Sequence, residues 1–186
     1  MTAVAVRRAV PADAAAIARV HVRGWHEAYT GRMPQSILDR LDLDRLTRVR
    51  RELLGHEQRI SDRVPPDAAG AENTGPQRTH DLGRTWVAVT GGSIVGFAVS
   101  GSSRDAPPVA PLELYAIYVL AAHHGTGAGQ ALLDAALGDE RASLWVLDDN
   151  PRAHAFYARN GFRPDGAAKD DTSWGESISE VRLVRG

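Results

Sequence analysis

The sequence predicts a single α/β domain, and three stretches carry that prediction. Leu112 to Val119 is a run of aliphatic and aromatic residues that passes through a glycine-rich turn into a helix ending at Leu137. A second strand-to-helix unit follows at Leu144-Trp145-Val146-Leu147 and Pro151 to Asn160. Ahead of both, Thr85 to Val89 and Ile94 to Val99 flank Gly91-Gly92, the spacing and turn chemistry of a hairpin. With 186 residues, 43% hydrophobic and 24% charged, the chain has apolar material for one core, so one domain, 1–186, is expected.

Taken in order, Ala3-Val4-Ala5-Val6-Arg7 alternates as a first strand. Pro11 and Asp13 mark a helix start, and that helix runs to Tyr29 before Thr30-Gly31 stops it. Ile17, Val20, Gly24 and Ala28 form one stripe, with Ala14, Ala18, Val22, Trp25 and Tyr29 beside it, so one face is buried. Pro34 to Leu41 and Asp44 to Leu54 read as shorter helices. From 61 to 83 the only large apolar residues are Val64 and Leu82 among prolines and glycines, which predicts a mobile insertion, with a substrate-gating lid as a second reading. Arg104 to Val109 is a proline-containing connection, Gly161 caps the helix that ends at Asn160, and the tail holds strand-like runs at Phe162-Arg163 and Ile178 to Val184.

Composition excludes several function classes. A net charge of -1 gives no basic field for nucleic acid, and no apolar run is long enough to cross a bilayer. The first residues lack the apolar core of a secretory signal, so a cytoplasmic location is expected. Without cysteine there is no disulfide, thiolate metal site or covalent cysteine mechanism. Lys169 is the sole lysine among 22 basic residues, which with the many alanines reads as GC-rich coding bias. His21 and His26, five apart, do not share a helical face, and His123-His124 lacks a spaced third ligand, so no metal is expected.

Between the central strand and its helix stand Gly125, Gly127 and Gly129. Glycines let backbone approach a ligand, and the unpaired N–H groups of a first helical turn favour a phosphate. The plain alternative is a tight connection that binds nothing. No Gly-Lys-Ser/Thr follows, which removes a P-loop, and Gly125-Thr126-Gly127-Ala128-Gly129 does not have the G-x-G-x-x-G dinucleotide spacing.

With both strand-to-helix units placed, the sequence resembles the GCN5-related N-acetyltransferases. The acyl-CoA signature of that family, Gln/Arg-x-x-Gly-x-Gly/Ala, matches His124-Gly125-Thr126-Gly127-Ala128-Gly129 in all but its first residue. A strand, an Asn, a helix bearing a Tyr, and Gly-Phe recur as Val146 to Asn150, Tyr157 and Gly161-Phe162. The resemblance implies a mixed, mostly antiparallel sheet flanked by helices, in which two neighbouring parallel strands, Leu112 to Val119 and Leu144 to Leu147, splay to admit a pantetheine arm. It implies acetyl-CoA as donor cosubstrate, held by Ile117, Tyr118 and Val119, by His124, Gly125, Thr126, Gly127, Ala128 and Gly129, and by Asn150 and Tyr157. An amine acceptor, small molecule rather than protein, would meet Trp25, Tyr29, Met33 and Glu113, and a homodimer is one assembly that relatives adopt. His124 is the departure, because a His carries charge only part of the time near neutral pH.

The implied chemistry is direct transfer in a ternary complex. Glu113 stands eleven residues before His124, where histone-acetylating members of the family place a glutamate, and it is the candidate base. Its alternatives are a solvent-facing residue or a partner for an arginine at the sheet end. Tyr157 is the candidate acid, since a phenol stays protonated at pH 7 and donates to a departing thiolate; its alternative is helix packing. A non-catalytic acyl-CoA-binding module or sensor would keep the turn and lack turnover, and a protein-interaction scaffold would bind no nucleotide.

Overall fold

The computed structural model describes residues 3–61, 83–172 and 176–186. Nearly all of the insertion expected at 61–83 lies outside them. Strand β1 (Ala5–Arg8) leads through a single 3-10 turn at Pro11–Asp13 into α1 (Ala14–Tyr29). Helices α2 (Gln35–Leu38) and α3 (Leu43–Ser61) follow, then the hairpin β2 (Arg84–Thr90) and β3 (Ser93–Ser102). The two strand-to-helix units are β4 (Leu112–Val119) with α4 (Ala128–Leu137) and β5 (Ala142–Leu147) with α5 (Pro151–Arg159). Strands β6 (Arg163–Asp171) and β7 (Ile178–Arg185) close the chain.

The seven strands form one sheet in the order β1-β2-β3-β4-β5-β7-β6. All neighbours are antiparallel except β4 and β5, which run parallel. That parallel pair is short: Leu112, Glu113 and Leu114 match Ala142, Ser143 and Leu144, and beyond them the strands part. A bulge helps to part them, because Val99 faces Ala116 while Ser100 faces Leu114, leaving Tyr115 as an extra residue that bends β4. The expected splay is therefore present.

Helices cover both faces of the sheet. Under α4, Leu132, Leu133 and Leu137 pack with Leu114, Leu144, Val146, Phe162 and Leu183. On the other face Ile17 and Val20 of α1 and Leu54 of α3 pack on Val87, Phe97 and Val99. Phe97 is 0% exposed, and burying a side chain of that size contributes about 1.5–3 kcal/mol. Gly24 lets α1 lie close to β4, since a Cβ there would touch the Tyr118 Cβ at 3.4 Å. A third cluster, Trp25, Ile37, Leu38, Leu147 and Ile178, joins α1 and α2 to the far ends of β5 and β7.

Three expected boundaries moved for physical reasons. Helix α3 continues past Leu54 to Ser61 because Glu57 is anchored: its carboxylate accepts from Thr85 N at 3.0 Å and Thr85 Oγ1 at 2.8 Å, a polar tether that apolar periodicity does not reveal. Helix α2 is one turn, shorter than Pro34 to Leu41. Strand β6 is longer than Phe162-Arg163 because an exposed edge strand needs no apolar alternation.

His21 sits in an aromatic nest, stacked on Tyr118 with centroids 5.4 Å apart and edge-on to Trp25 and Phe97. Burial, reinforced by the charge of Arg50, pushes its imidazole down to about 4, from 6.5. A depressed folded-state value leaves stability unaffected above pH 6.5 and erodes it as pH falls towards 4, by up to about 3 kcal/mol. Urea unfolding across that window is expected to show this loss, and His21→Phe is expected to remove it. Parallel pH dependence in both proteins would assign the acid sensitivity elsewhere.

Candidate active site

A cavity of about 740 Å³ runs along the gap between β4 and β5. One end is the turn between β4 and α4. There the chain leaves β4 through a 3-10 turn at Ala121–His123, fixed by Glu27, whose carboxylate accepts from Ala121 N at 2.7 Å. Gly125 and Gly127 then adopt φ of +76° and +87°, conformations that side chains rarely take. A Cβ at either would meet nothing within 4 Å, so both glycines face open space. Gly127 is the N-cap of α4 and its carbonyl accepts from Ala131 N at 3.0 Å. The N–H groups of 128–130 therefore precede the helical ladder and point out at the turn, at the positive end of the helix dipole.

His124 is tied on both ring nitrogens: Nε2 lies 2.8 Å from Val119 O and Nδ1 lies 2.7 Å from Arg152 Nη1. A guanidinium only donates, so Nδ1 accepts and Nε2 carries the proton that it donates to Val119 O. The imidazole is neutral in this arrangement, and the permanent charge beside the turn belongs to Arg152. Arg152 lines the cavity from the first turn of α5, just after Pro151. A cation there opposes the helix dipole, a placement that an anionic ligand would repay. Sequence reading missed Arg152, although a basic residue at a helix start was a usable signal.

Asn150 caps α5, its Oδ1 accepting from Ala153 N at 3.2 Å, and it also lines the cavity. Tyr157 lies about two turns beyond Asn150 on that helix, 8% exposed, with its ring edge-on to Phe156 and Phe162. Burial pushes its phenol up from 10.0. Ile117, Tyr118 and Val119 line the cavity from β4. Their pairing with Ala98, Phe97 and Gly96 uses one edge of the strand, and the other edge borders the gap. Thr126 turns its hydroxyl back to His123 O at 2.8 Å and Ala128 is packed into the core, so these two complete the turn without lining the cavity.

The other end of the cavity is walled by Trp25, Tyr29 and Met33, the segment expected to meet an acceptor, together with Leu147, Ile178, Lys169 and Glu180. The Tyr29 and Tyr118 hydroxyls are 3.4 Å apart, and burial raises both phenols. Lys169 Nζ lies 3.3 Å from Glu180 Oε2. Neither residue was singled out as a site residue in the sequence, because both sit on strands with weak alternation.

Glu113 is not brought to the cavity. It is 1% exposed, and its oxygens accept from Arg104 N at 2.8 Å, from Arg104 Nε at 3.0 Å and from Arg104 Nη2. This is the arginine-paired arrangement at the sheet end. The Arg104 guanidinium, stacked 4.4 Å over the Tyr115 ring, reaches the cavity in its place. Among the described residues no group of three or more His, Cys, Asp or Glu gathers to hold a metal ion, and no helix is long and apolar enough to cross a membrane.

Comparison with known proteins gives a consistent picture. The profile of the acetyltransferase (GNAT) domain matches residues 81–164. An uncharacterised N-acetyltransferase of Mycobacterium bovis is 40% identical over 83 residues, 40% of this chain and 49% of the relative, so the match spans about half the length of that protein. An uncharacterised N-acetyltransferase of Bacillus subtilis is 28% identical over 187 residues, covering 97% of this chain and 88% of the relative. Among solved structures, the PaiA N-acetyltransferase of Thermoplasma acidophilum in complex with coenzyme A superposes with a TM-score of 0.67 at 16% identity, covering 99% of each chain. The ribosomal-protein-alanine N-acetyltransferase of Brucella melitensis gives 0.64 at 18%, covering 97% of this chain and 98% of the other. These structural likenesses concern the fold, while the profile match takes in the glycine turn, the parted strands and Tyr157. Over residues 81–164 this chain is therefore similar to the acetyltransferase (GNAT) domain, and over its length it shares the fold of the N-acetyltransferase structures on which it superposes.

Proposed function

We propose that the protein is an N-acetyltransferase that moves the acetyl group of acetyl-CoA to an amine, by direct attack while donor and acceptor are bound together. The observation that carries this reading is the continuity of one cavity from the bare glycine turn, through the gap between β4 and β5, to an aromatic and acidic chamber. Acetyl-CoA supplies the activated thioester.

The residues divide the work along that path. The N–H groups at the start of α4 bind the diphosphate, with Arg152 adding fixed positive charge and neutral His124 spacing it from Val119. Backbone groups of Ile117, Tyr118 and Val119 on the gap side pair with the pantetheine arm and polarise the thioester carbonyl. Asn150 bonds the arm at the mouth while capping α5. Tyr157 donates a hydrogen bond to the leaving thiolate. Trp25, Tyr29 and Met33 enclose an acceptor of small-molecule size, and aromatic faces beside Glu180 suit a cationic amine.

Proton removal from that amine falls to Glu180 or to a water beside it, and Glu113 acts through Arg104, whose guanidinium it fixes. Glu113→Gln is expected to keep the shape of the pH–rate profile and to lower kcat/KM by no more than about tenfold, where losing a general base costs about 10²–10⁴. It is also expected to destabilise the fold by about 1–3 kcal/mol, because Arg104 N loses a charged acceptor. Disappearance of the acidic limb of the profile would return the base role to Glu113. The reaction itself is tested by coenzyme A release from acetyl-CoA against a panel of primary amines, alongside calorimetry. Binding without release for every amine would leave an acyl-CoA-binding module.

A further inference from the structure

Lysine occurs once in this chain, and its side chain leans towards the proposed transfer site. Lys169 is rooted on β6, the edge strand beside β7. Its register partner on β7 is Glu180, whose own partner on β5 is Leu147, so the three form one row across neighbouring strands. Strands in a sheet lie about 4.8 Å apart, which puts the Lys169 backbone two strands from β5. Yet Nζ lies only 4.2 Å from the ring centroid of Trp145 on β5, held there by Glu180 Oε2 at 3.3 Å. The side chain reaches back over β7 to the strand that borders the gap. Lys169, Glu180 and Trp145 line the same cavity as Tyr118 and the glycine turn, and the lysine side chain is 43% exposed.

We propose that Lys169 is an acetylation site of the protein itself: the chain transfers an acetyl group from acetyl-CoA to its own single lysine. This rests on the acetyl-transfer reading above and adds a specific acceptor to it. The Glu180 carboxylate takes one proton from the Lys169 ammonium. The freed Nζ lone pair attacks the thioester carbonyl carbon, the C–N bond forms, and the C–S bond breaks with its electron pair on sulfur. The thiolate is protonated to coenzyme A, and Nζ sheds its second proton to solvent. Ammonium and thioester thus become amide and thiol with release of one proton, and no other reactant is required. The many arginines of the chain cannot do this, since a guanidinium stays protonated. The product has a consequence for the cavity: a neutral acetyl-lysine no longer pairs with Glu180, and the chamber becomes more acidic.

The experiment incubates the full chain with acetyl-CoA and no added amine, and follows intact mass and peptide maps beside calorimetry of the same preparation. Expected are one added acetyl group per chain, located at Lys169, at a rate independent of protein concentration. Lys169→Arg is expected to abolish it and Glu180→Gln to slow it by about 10². Gly127→Val, which removes the cradle, separates site-directed transfer from solution chemistry: labelling is expected to vanish there. Labelling that persists in Gly127→Val, or that maps elsewhere, overturns the proposal. Heat of acetyl-CoA binding without mass gain overturns the lysine assignment alone, whereas neither heat nor mass gain overturns it together with the acetyl-transfer reading.

Discussion

Gly127→Val is expected to abolish measurable acetyl-CoA binding while leaving a folded protein. The two halves of that expectation come from separate facts. Gly127 has φ of +87°, and a β-branched residue held there costs about 1–3 kcal/mol of strain. Domains of this kind have about 5–15 kcal/mol of stability, so the fold survives. A valine Cβ meets no protein atom within 4 Å, so the side chain projects into the space where a diphosphate would sit. Displacing the anion by one side chain loses charge-assisted hydrogen bonds worth about 1.5–3 kcal/mol each, and two of them amount to about 10²-fold or more in affinity. Circular dichroism and thermal melting check the fold, and calorimetry checks binding. Retained affinity in a folded variant would remove the diphosphate role from this turn.

What the sequence disclosed and what it hid follow from how each part is held. Strand β4 was bounded by its run of large side chains and flanking prolines, and the start of α4 by its glycines, so Leu112–Val119 emerged with its observed ends. The Gly91-Gly92 hairpin was equally local. Glu113 was different: in one dimension it is a carboxylate in an apolar strand, and only the fold brings the Arg104 backbone and guanidinium onto it. Arg152 and His124 are 28 positions apart, and their contact depends on α5 docking beside the turn. Only the start of strand β6 was legible at Phe162-Arg163, and its continuation to Asp171 stayed hidden because an exposed edge, RPDGAAKDD, has neither alternation nor apolar content to betray it. The Lys169–Glu180 pair on β6 and β7 stayed hidden with it.

Tyr157→Phe is expected to lower kcat by about 10²–10⁴ with little change in the affinity for acetyl-CoA. The ring keeps its packing against Phe156 and Phe162, since phenylalanine fills the same volume, so the change removes one hydroxyl from the cavity wall. Burial raises the phenol above its ordinary 10.0, whereas a free thiol titrates near about 8.5. Full proton transfer from tyrosine to a solvated thiolate is therefore uphill, and in the proposed reaction the hydroxyl's part is to donate a hydrogen bond that strengthens as charge gathers on sulfur. That selectivity for the transition state places the loss in kcat rather than in binding. The same raised phenol implies that Tyr157 gives no alkaline limb to the pH–rate profile below pH 10. Single-turnover rates and calorimetric affinities of the two proteins decide the matter. Equal losses in rate and affinity would make the hydroxyl a binding contact, and unchanged kinetics would leave Tyr157 with packing alone.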